Sequence, residues 1–327
     1  MNESVLSLRN VEITYQLRSG PVPAVRGIDL DVPAGSVVGL AGESGCGKST
    51  VGNAILRLLP EETDVTGQIL MQGQDILLMK GKELRAVRWG QASIIFQGAM
   101  HSLDPVKRID EQIAEAIQAH DAKITPKATS QRVGELLEMV RLPARRGREY
   151  PHQLSGGQKQ RVMIAMALAC KPALVIADEP TTALDVMVQA QVLDLLRELQ
   201  AELGLAVVFI THDLSVLTEI CDRIAIMYAG KLVEEGDADT IFTQPSHPYT
   251  KALGGAFPRI GNLEDRFTPA GLDGDPPLPQ AMPSGCAFHP RCPVAFDRCA
   301  IEDPERFPTP TGGTAACLLL GETRSRA

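Results

Sequence analysis

One run of nine residues constrains this chain more than anything else in it. Gly42-Glu43-Ser44-Gly45-Cys46-Gly47-Lys48-Ser49-Thr50 follows the apolar stretch Val37–Ala41 and opens a helical stretch over 49–58. A G-x-x-x-x-G-K-[ST] sequence set between a buried strand and a helix is a phosphate-binding loop. Its glycines let successive backbone N–H groups face one anion, and the helix start adds partial positive charge. Lys48 is then placed to reach the β- and γ-phosphates of a nucleotide, and the Ser49 hydroxyl to ligate Mg²⁺. A chain built around this loop is expected to be an α/β protein.

The pattern of the first ~240 residues agrees. Strands are expected at 93–96, 173–177, 206–210, 224–228 and 231–235, and helices at Ile109–His120, 131–142, 156–170 and Val186–Leu203. Such continuous apolar runs belong to strands covered on both faces by helices. Beyond 240 the texture changes: Pro245, Pro248, Pro258, Pro269, Pro276, Pro277, Pro279 and Pro283 punctuate the chain, and 274–279 reads as an extended linker. The expected division is a main domain at 1–242 and an extension at 243–327.

Charge and hydropathy narrow the class. Lys and Arg total 32 against 40 Asp and Glu, a net charge of −8, which argues against a polyanion binder. Hydrophobic residues make up 44% of the chain, enough to bury a core. No run approaches the ~18–20 apolar residues of a membrane-spanning helix, and the start Met1-Asn2-Glu3-Ser4 has no basic region leading into an apolar core. A soluble intracellular protein is expected, reaching any membrane through partners.

Three further patterns carry chemistry. The apolar strand ending at Asp178 and Glu179 presents two carboxylates. The first is suited to hold Mg²⁺, the second to orient or deprotonate an attacking water. Leu154-Ser155-Gly156-Gly157-Gln158 puts a Ser-Gly-Gly turn at a helix start, a second anion cradle in which Ser155 also serves as N-cap. Of seven cysteines, Cys286, Cys292, Cys299 and Cys317 crowd into the tail with five, six and seventeen residues between them. No pair has the two-residue spacing of a zinc ribbon or a bacterial ferredoxin. Four thiolates there could hold a [4Fe–4S] cluster or Zn²⁺, or stay reduced.

In this order and spacing the motifs resemble the ATP-binding subunits of ABC transporters, over at least residues 5–240. The resemblance implies a P-loop NTPase fold: a mostly parallel central sheet, an antiparallel β subdomain, and a helical subdomain at about 98–170. It assigns Tyr15 to stacking on adenine and Gly42, Ser44, Gly45, Cys46, Gly47, Lys48, Ser49 and Thr50 to the phosphates. Ser49, Gln97 and Asp178 are implied to hold Mg²⁺, with Glu179, Gln97 and His212 catalytic. Thr182-Ala183-Leu184-Asp185 resembles the loop that crosses a dimer interface, with Asp185 its contact. Ser155, Gly156, Gly157 and Gln158 resemble the signature that closes over a partner's ATP, so two ATPs would be sandwiched between two subunits.

Residues 96–105 resemble the oligopeptide and dipeptide importers, departing at Gly98, where an acidic residue is usual. Residues 163–170 and 177–186 look like the first of that system's two paired ATPases, and His247-Pro248-Tyr249-Thr250 matches the opening of its C-terminal extension. The resemblance implies a paralogous second ATPase, two transmembrane permease subunits, an extracytoplasmic solute-binding protein acting indirectly, no nucleic acid, and a peripheral place on the cytoplasmic face of the cell membrane. It implies tail cysteines that ligate a [4Fe–4S] cluster, with Zn²⁺ the alternative, in a structural role. The alternative, a soluble ABC ATPase acting on DNA or ribosomes, would usually need tandem cassettes, coiled-coil insertions or a basic surface, and the sequence shows none. A third reading, an Fe–S redox protein with an ATPase module, is the least favoured, because nothing in the sequence resembles an electron-transfer partner or a flavin site. Every nucleotide residue named lies before 213, so ATP binding by the isolated subunit is expected to survive loss of a tail cluster.

Overall fold

The computed structural model describes residues 4–98, 102–182, 184–255 and 272–325. Met1–Glu3, Ala99, Met100, His101, Ala183, Pro258 and Pro269 lie outside the described residues. The chain forms two compact bodies: 1–6, 32–36 and 70–208 in one, and 7–31, 37–69 and 209–327 in the other.

The second body carries the phosphate loop on a five-strand order: Phe307–Pro308, Thr314–Ala315, Lys231–Asp237, Arg223–Tyr228 and Val37–Ala41. The first four pair antiparallel, while Val37–Ala41 runs parallel to Arg223–Tyr228, with Leu40 opposite Ala225. All five residues of Val37–Ala41 are buried, as a strand covered on both faces requires. A Cβ on Gly39 would stand 3.0 Å from Cys221 Sγ and 3.1 Å from Leu217, so the missing side chain lets helix Leu214–Ile220 lie close on the strand. Residues 7–31 and 63–69 add strands ordered Gly20–Pro33, Ser4–Leu17, Thr63–Met71.

The first body holds the parallel pair Ala92–Ile95 and Leu174–Asp178, in register from Ala92 opposite Leu174 to Ile95 opposite Ala177. The Ala206 N–H donates to the Ala173 carbonyl at 3.0 Å, bringing the start of Ala206–Thr211 alongside. Helices Ile109–His120, Pro126–Met139, Gly156–Ala167 and Val186–Leu203 bury Ile113, Val133, Leu136, Ile164 and Leu195. No helix among the described residues is long and apolar enough to cross a membrane.

Helix ends differ from the pattern-based expectation for one recurring reason. The helix expected over 49–58 stops at Ile55, where Arg57 takes φ +49 and Leu58 donates back to the Asn53 carbonyl. The helix expected over 131–142 ends at Met139 in the same way, with Arg141 at φ +60 and Leu142 N–H on the Leu137 carbonyl. Both are Schellman stops in which an arginine occupies the left-handed position usually given to glycine, so sequence gives no warning. The second helix also starts earlier, at Pro126, because Thr125 caps it by accepting from Ala128 N–H. The helix expected over 156–170 closes at Ala167, ahead of Lys171 at φ +53 and Pro172.

Candidate active site

In the second body the phosphate loop has the backbone its glycines permit. Gly42 stands at φ +153 and its Cβ would lie 2.2 Å from the Met227 carbonyl oxygen; Gly47 stands at φ +105, with the Ala24 carbonyl oxygen 2.5 Å from such a Cβ. Any side chain at either position would collide with neighbouring backbone. Gly47 begins helix Lys48–Ile55 with no side-chain cap and no acidic residue in the first turn, so its first N–H groups face the loop uncapped. The buried Lys48 ammonium donates to the carbonyls of Gly42 at 2.7 Å and Glu43 at 2.9 Å, which holds a positive charge inside the loop. Tyr15, half-buried, has its hydroxyl 3.1 Å from Thr50 Oγ1, at the start of the same helix. His212 is exposed just beyond strand Ala206–Thr211. Asp213 fixes that turn by accepting from the Ser215 N–H at 2.9 Å, capping the next helix.

The first body carries the carboxylates. Asp178, 5% exposed, ends the strand Leu174–Asp178. Glu179 follows at φ +45, a left-handed backbone uncommon for a side chain of its size and typical of functional positions. Two donors converge on its Oε2: Gln97 Nε2 at 2.8 Å and Thr182 Oγ1 at 2.9 Å. Strand pairing explains the first, since Ala92–Ile95 and Leu174–Asp178 run parallel and end together. A half-buried carboxylate held between two donors is aimed rather than free to turn, which is what a water-orienting base needs. Gly98 takes φ +74; a side chain there would be strained.

Ser155 caps helix Gly156–Ala167 as expected, in a reciprocal box: its hydroxyl accepts from Gln158 N–H at 3.4 Å while Gln158 Oε1 accepts from Ser155 N–H at 3.0 Å. Ser155 itself is exposed. A Cβ on Gly157 would lie 2.4 Å from Val188 Cγ1, so this glycine permits close packing on helix Val186–Leu203. Asp185 caps that helix through Val188 N–H at 3.0 Å, and Val186 and Met187 beside it are 76% and 72% exposed.

Two family models match stretches of this chain. Residues 25–182 match the model described as "ABC transporter", and residues 233–299 the one described as "Oligopeptide/dipeptide transporter, C-terminal region". The chain is 44% identical over 329 residues to "Dipeptide transport ATP-binding protein DppD" of Bacillus subtilis, covering 99% of this chain and 97% of that one. The chain belongs to the ABC transporter ATP-binding family. It is also 42% identical over 318 residues to "Oligopeptide transport ATP-binding protein OppD" of Escherichia coli, covering 97% and 93%. The solved "Dimeric Structure of MJ0796, a Bacterial ABC Transporter Cassette" superposes with a TM-score of 0.64 at 31% identity, over 71% of this chain and 98% of that one. The fold is that of the ABC cassette.

This ABC-family chain differs from expectation in its tail. The extension is not independent of the phosphate loop. Glu43 N–H donates to Tyr249 Oη at 2.9 Å, and Arg291 donates to both Glu43 carboxylate oxygens, at 2.7 and 2.9 Å. Tyr228, Tyr249 and Phe288, all buried, pack as one aromatic cluster with ring centroids 4.6–5.4 Å apart. Sequence reasoning missed Arg291 and the role of Tyr249. Tyr249 stood inside a quoted motif and Arg291 next to Cys292, but a link across 206 or 248 residues leaves no local trace.

The four tail cysteines are free thiols. Burial pushes the Cys286 thiol up, and Cys299 and Cys292 add to the rise. Burial also pushes Cys317 up to about 11, with the other three contributing. Cys286 N–H bonds the Cys299 carbonyl at 2.9 Å. Among the described residues, however, no group of three or more His, Cys, Asp or Glu is arranged to hold a metal ion. The expected ligand set is not assembled.

Proposed function

We propose that the chain is the ATP-binding and hydrolysing subunit of a transporter for dipeptides, oligopeptides or similar small solutes. The single observation carrying this reading is the oligopeptide/dipeptide transporter C-terminal region joined to a formed phosphate loop in one chain. In this reading Lys48 and the N–H groups of Gly45, Cys46, Gly47, Ser49 and Thr50 bind the ATP phosphates, with Gly42 and Ser44 shaping the loop and Tyr15 stacking on the base. Ser49, Gln97 and Asp178 each offer an oxygen donor of the kind Mg²⁺ takes, and the ion would supply charge to offset that of the phosphates. Glu179, oriented by Gln97 and Thr182, accepts a proton from the attacking water, and His212 contacts the γ-phosphate. Ser155, Gly156, Gly157 and Gln158, with Asp185, face the ATP held by a second, paralogous ATPase. ATP then favours the closed pair through contacts made only there, and hydrolysis removes them.

The partners proposed are that ATPase and two transmembrane permease subunits, with an extracytoplasmic solute-binding protein acting indirectly, and the chain lies peripherally on the cytoplasmic face. The tail thiols are proposed as a metal site on donor chemistry alone, [4Fe–4S] first and Zn²⁺ second. Loading would have to draw Cys286, Cys292, Cys299 and Cys317 together. Peptide uptake by cells carrying Lys48→Ala in place of this chain tests the main reading. Uptake should vanish while the subunit still co-purifies with its membrane partners; unchanged uptake would overturn it.

A further inference from the structure

The phosphate loop and the C-terminal extension meet at Glu43, and every polar group of that residue is engaged. Its N–H goes to Tyr249 Oη, its carbonyl accepts from Lys48 Nζ at 2.9 Å, and its two carboxylate oxygens take Arg291 bidentately. The Arg291 side chain is 7% exposed and that of Glu43 24%. Arg291 also lies 3.3 Å from Tyr228 Oη, which seats it on the aromatic cluster. A shielded, bidentate and stacked arginine holds its partner far better than a surface ion pair. The contact is a seam: a cavity of about 160 Å³ separates loop residues 44–46 from Pro277, Leu278 and Met282 of the extension.

We propose that Arg291 and Tyr249 are positioning residues of the ATP site, through which the extension sets nucleotide affinity; this rests on the phosphate loop being that site. The physical reason is the loop's own composition. Gly42, Gly45 and Gly47 all take positive φ, and an unpinned glycine has many alternatives to that conformation. The Lys48 ammonium is anchored on the carbonyls of Gly42 and Glu43, so wherever Glu43 moves, the charge meant for the phosphates moves too. Fixing Glu43 at its N–H and its carboxylate removes that freedom before ATP arrives, and pre-organisation of this kind appears as affinity.

The test uses purified protein of residues 1–327, with Mg·ATP titrated calorimetrically, and steady-state ATPase kinetics of the assembled transporter. Arg291→Gln and Tyr249→Phe should each weaken ATP binding roughly three- to tenfold, and Arg291→Lys should fall between. Glu43→Gln combined with Arg291→Gln should bind no more weakly than Arg291→Gln alone, because the two act through one contact. KM should rise by the same factor with kcat within about twofold, whereas simple loss of folded protein lowers kcat and leaves KM alone. Tyr249→Phe keeps the buried ring and removes only the acceptor, so it remains informative if Arg291→Gln folds poorly. Wild-type affinity in both Arg291→Gln and Tyr249→Phe, with binding lost in Lys48→Ala, would overturn the positioning role and leave the ATP site standing. Wild-type binding by Lys48→Ala would overturn both.

Discussion

Replacing Glu179 with Gln separates chemistry from structure. The substitution preserves the side-chain length and one acceptor oxygen, so Gln97 Nε2 and Thr182 Oγ1, now 2.8 and 2.9 Å from Oε2, keep a partner. The left-handed backbone at φ +45 is equally strained for either residue. What disappears is the charge and the ability to accept a proton. Two charge-assisted hydrogen bonds become neutral ones, which costs about 1 kcal/mol of stability and lowers Tm by about 2–4 °C. Loss of a positioned base costs about 10²–10⁴ in rate, or about 2.7–5.4 kcal/mol of barrier. The catalytic loss therefore exceeds the structural one severalfold and the two are measurable apart. Single-turnover phosphate release should fall by at least about a hundredfold, with ATP affinity near wild type by calorimetry. Hydrolysis within about threefold of wild type would refute Glu179 as the base.

The exposed cap Ser155 should tolerate Asp, which caps a helix equally well; Ser155→Asp is expected to fold and bind ATP normally yet block hydrolysis at the partner's site by placing a like charge beside its phosphates, and unchanged turnover of the assembled transporter would leave the signature a helix cap only. Burial holds His247 neutral, its folded pKa pushed down to about 4, so its contribution is fully present above about pH 6.5 and is lost as pH falls toward 4, on the order of 3 kcal/mol. Burial pushes the neighbouring Glu234 carboxyl up, which opposes this trend; the Tm of wild type should still fall over that window more steeply than that of His247→Gln, and equal slopes would show that His247 is not the group involved. Protein purified without oxygen should carry about four irons per chain with absorption near ~400 nm, lost in Cys292→Ser; stoichiometric zinc would replace the cluster, and four reduced thiols without metal would end the idea.

The parts legible in advance were those whose causes are local. The phosphate loop is specified by consecutive residues: glycines where positive φ is required, an apolar strand before them, and a lysine at the helix start. The signature turn was legible through Ser155 as an N-cap and Val186–Leu203 through its apolar pattern, while the reciprocal bond from Gln158 and the Asp185 cap emerge only in the structure. Gln97 and Glu179, 82 residues apart, could be named together only because a family resemblance placed them; the hydrogen bond between them comes from two parallel strands ending side by side. Helix stops at Arg57 and Arg141 were invisible, because the left-handed backbone is imposed on residues that do not prefer it by the Schellman bonds around them.

Only the tertiary structure decided what the extension does to the loop. Sequence alone supplied a proline-rich tail with four cysteines, and every nucleotide residue it could name lay elsewhere, so nothing in it linked the two. Folding brings Tyr249 and Arg291 onto Glu43 because Tyr228, Tyr249 and Phe288 bury one another. Burial of aromatic surface is non-directional and depends on no particular spacing. Sequence therefore determined that this chain has a phosphate loop, while packing between distant residues determined what holds that loop in place.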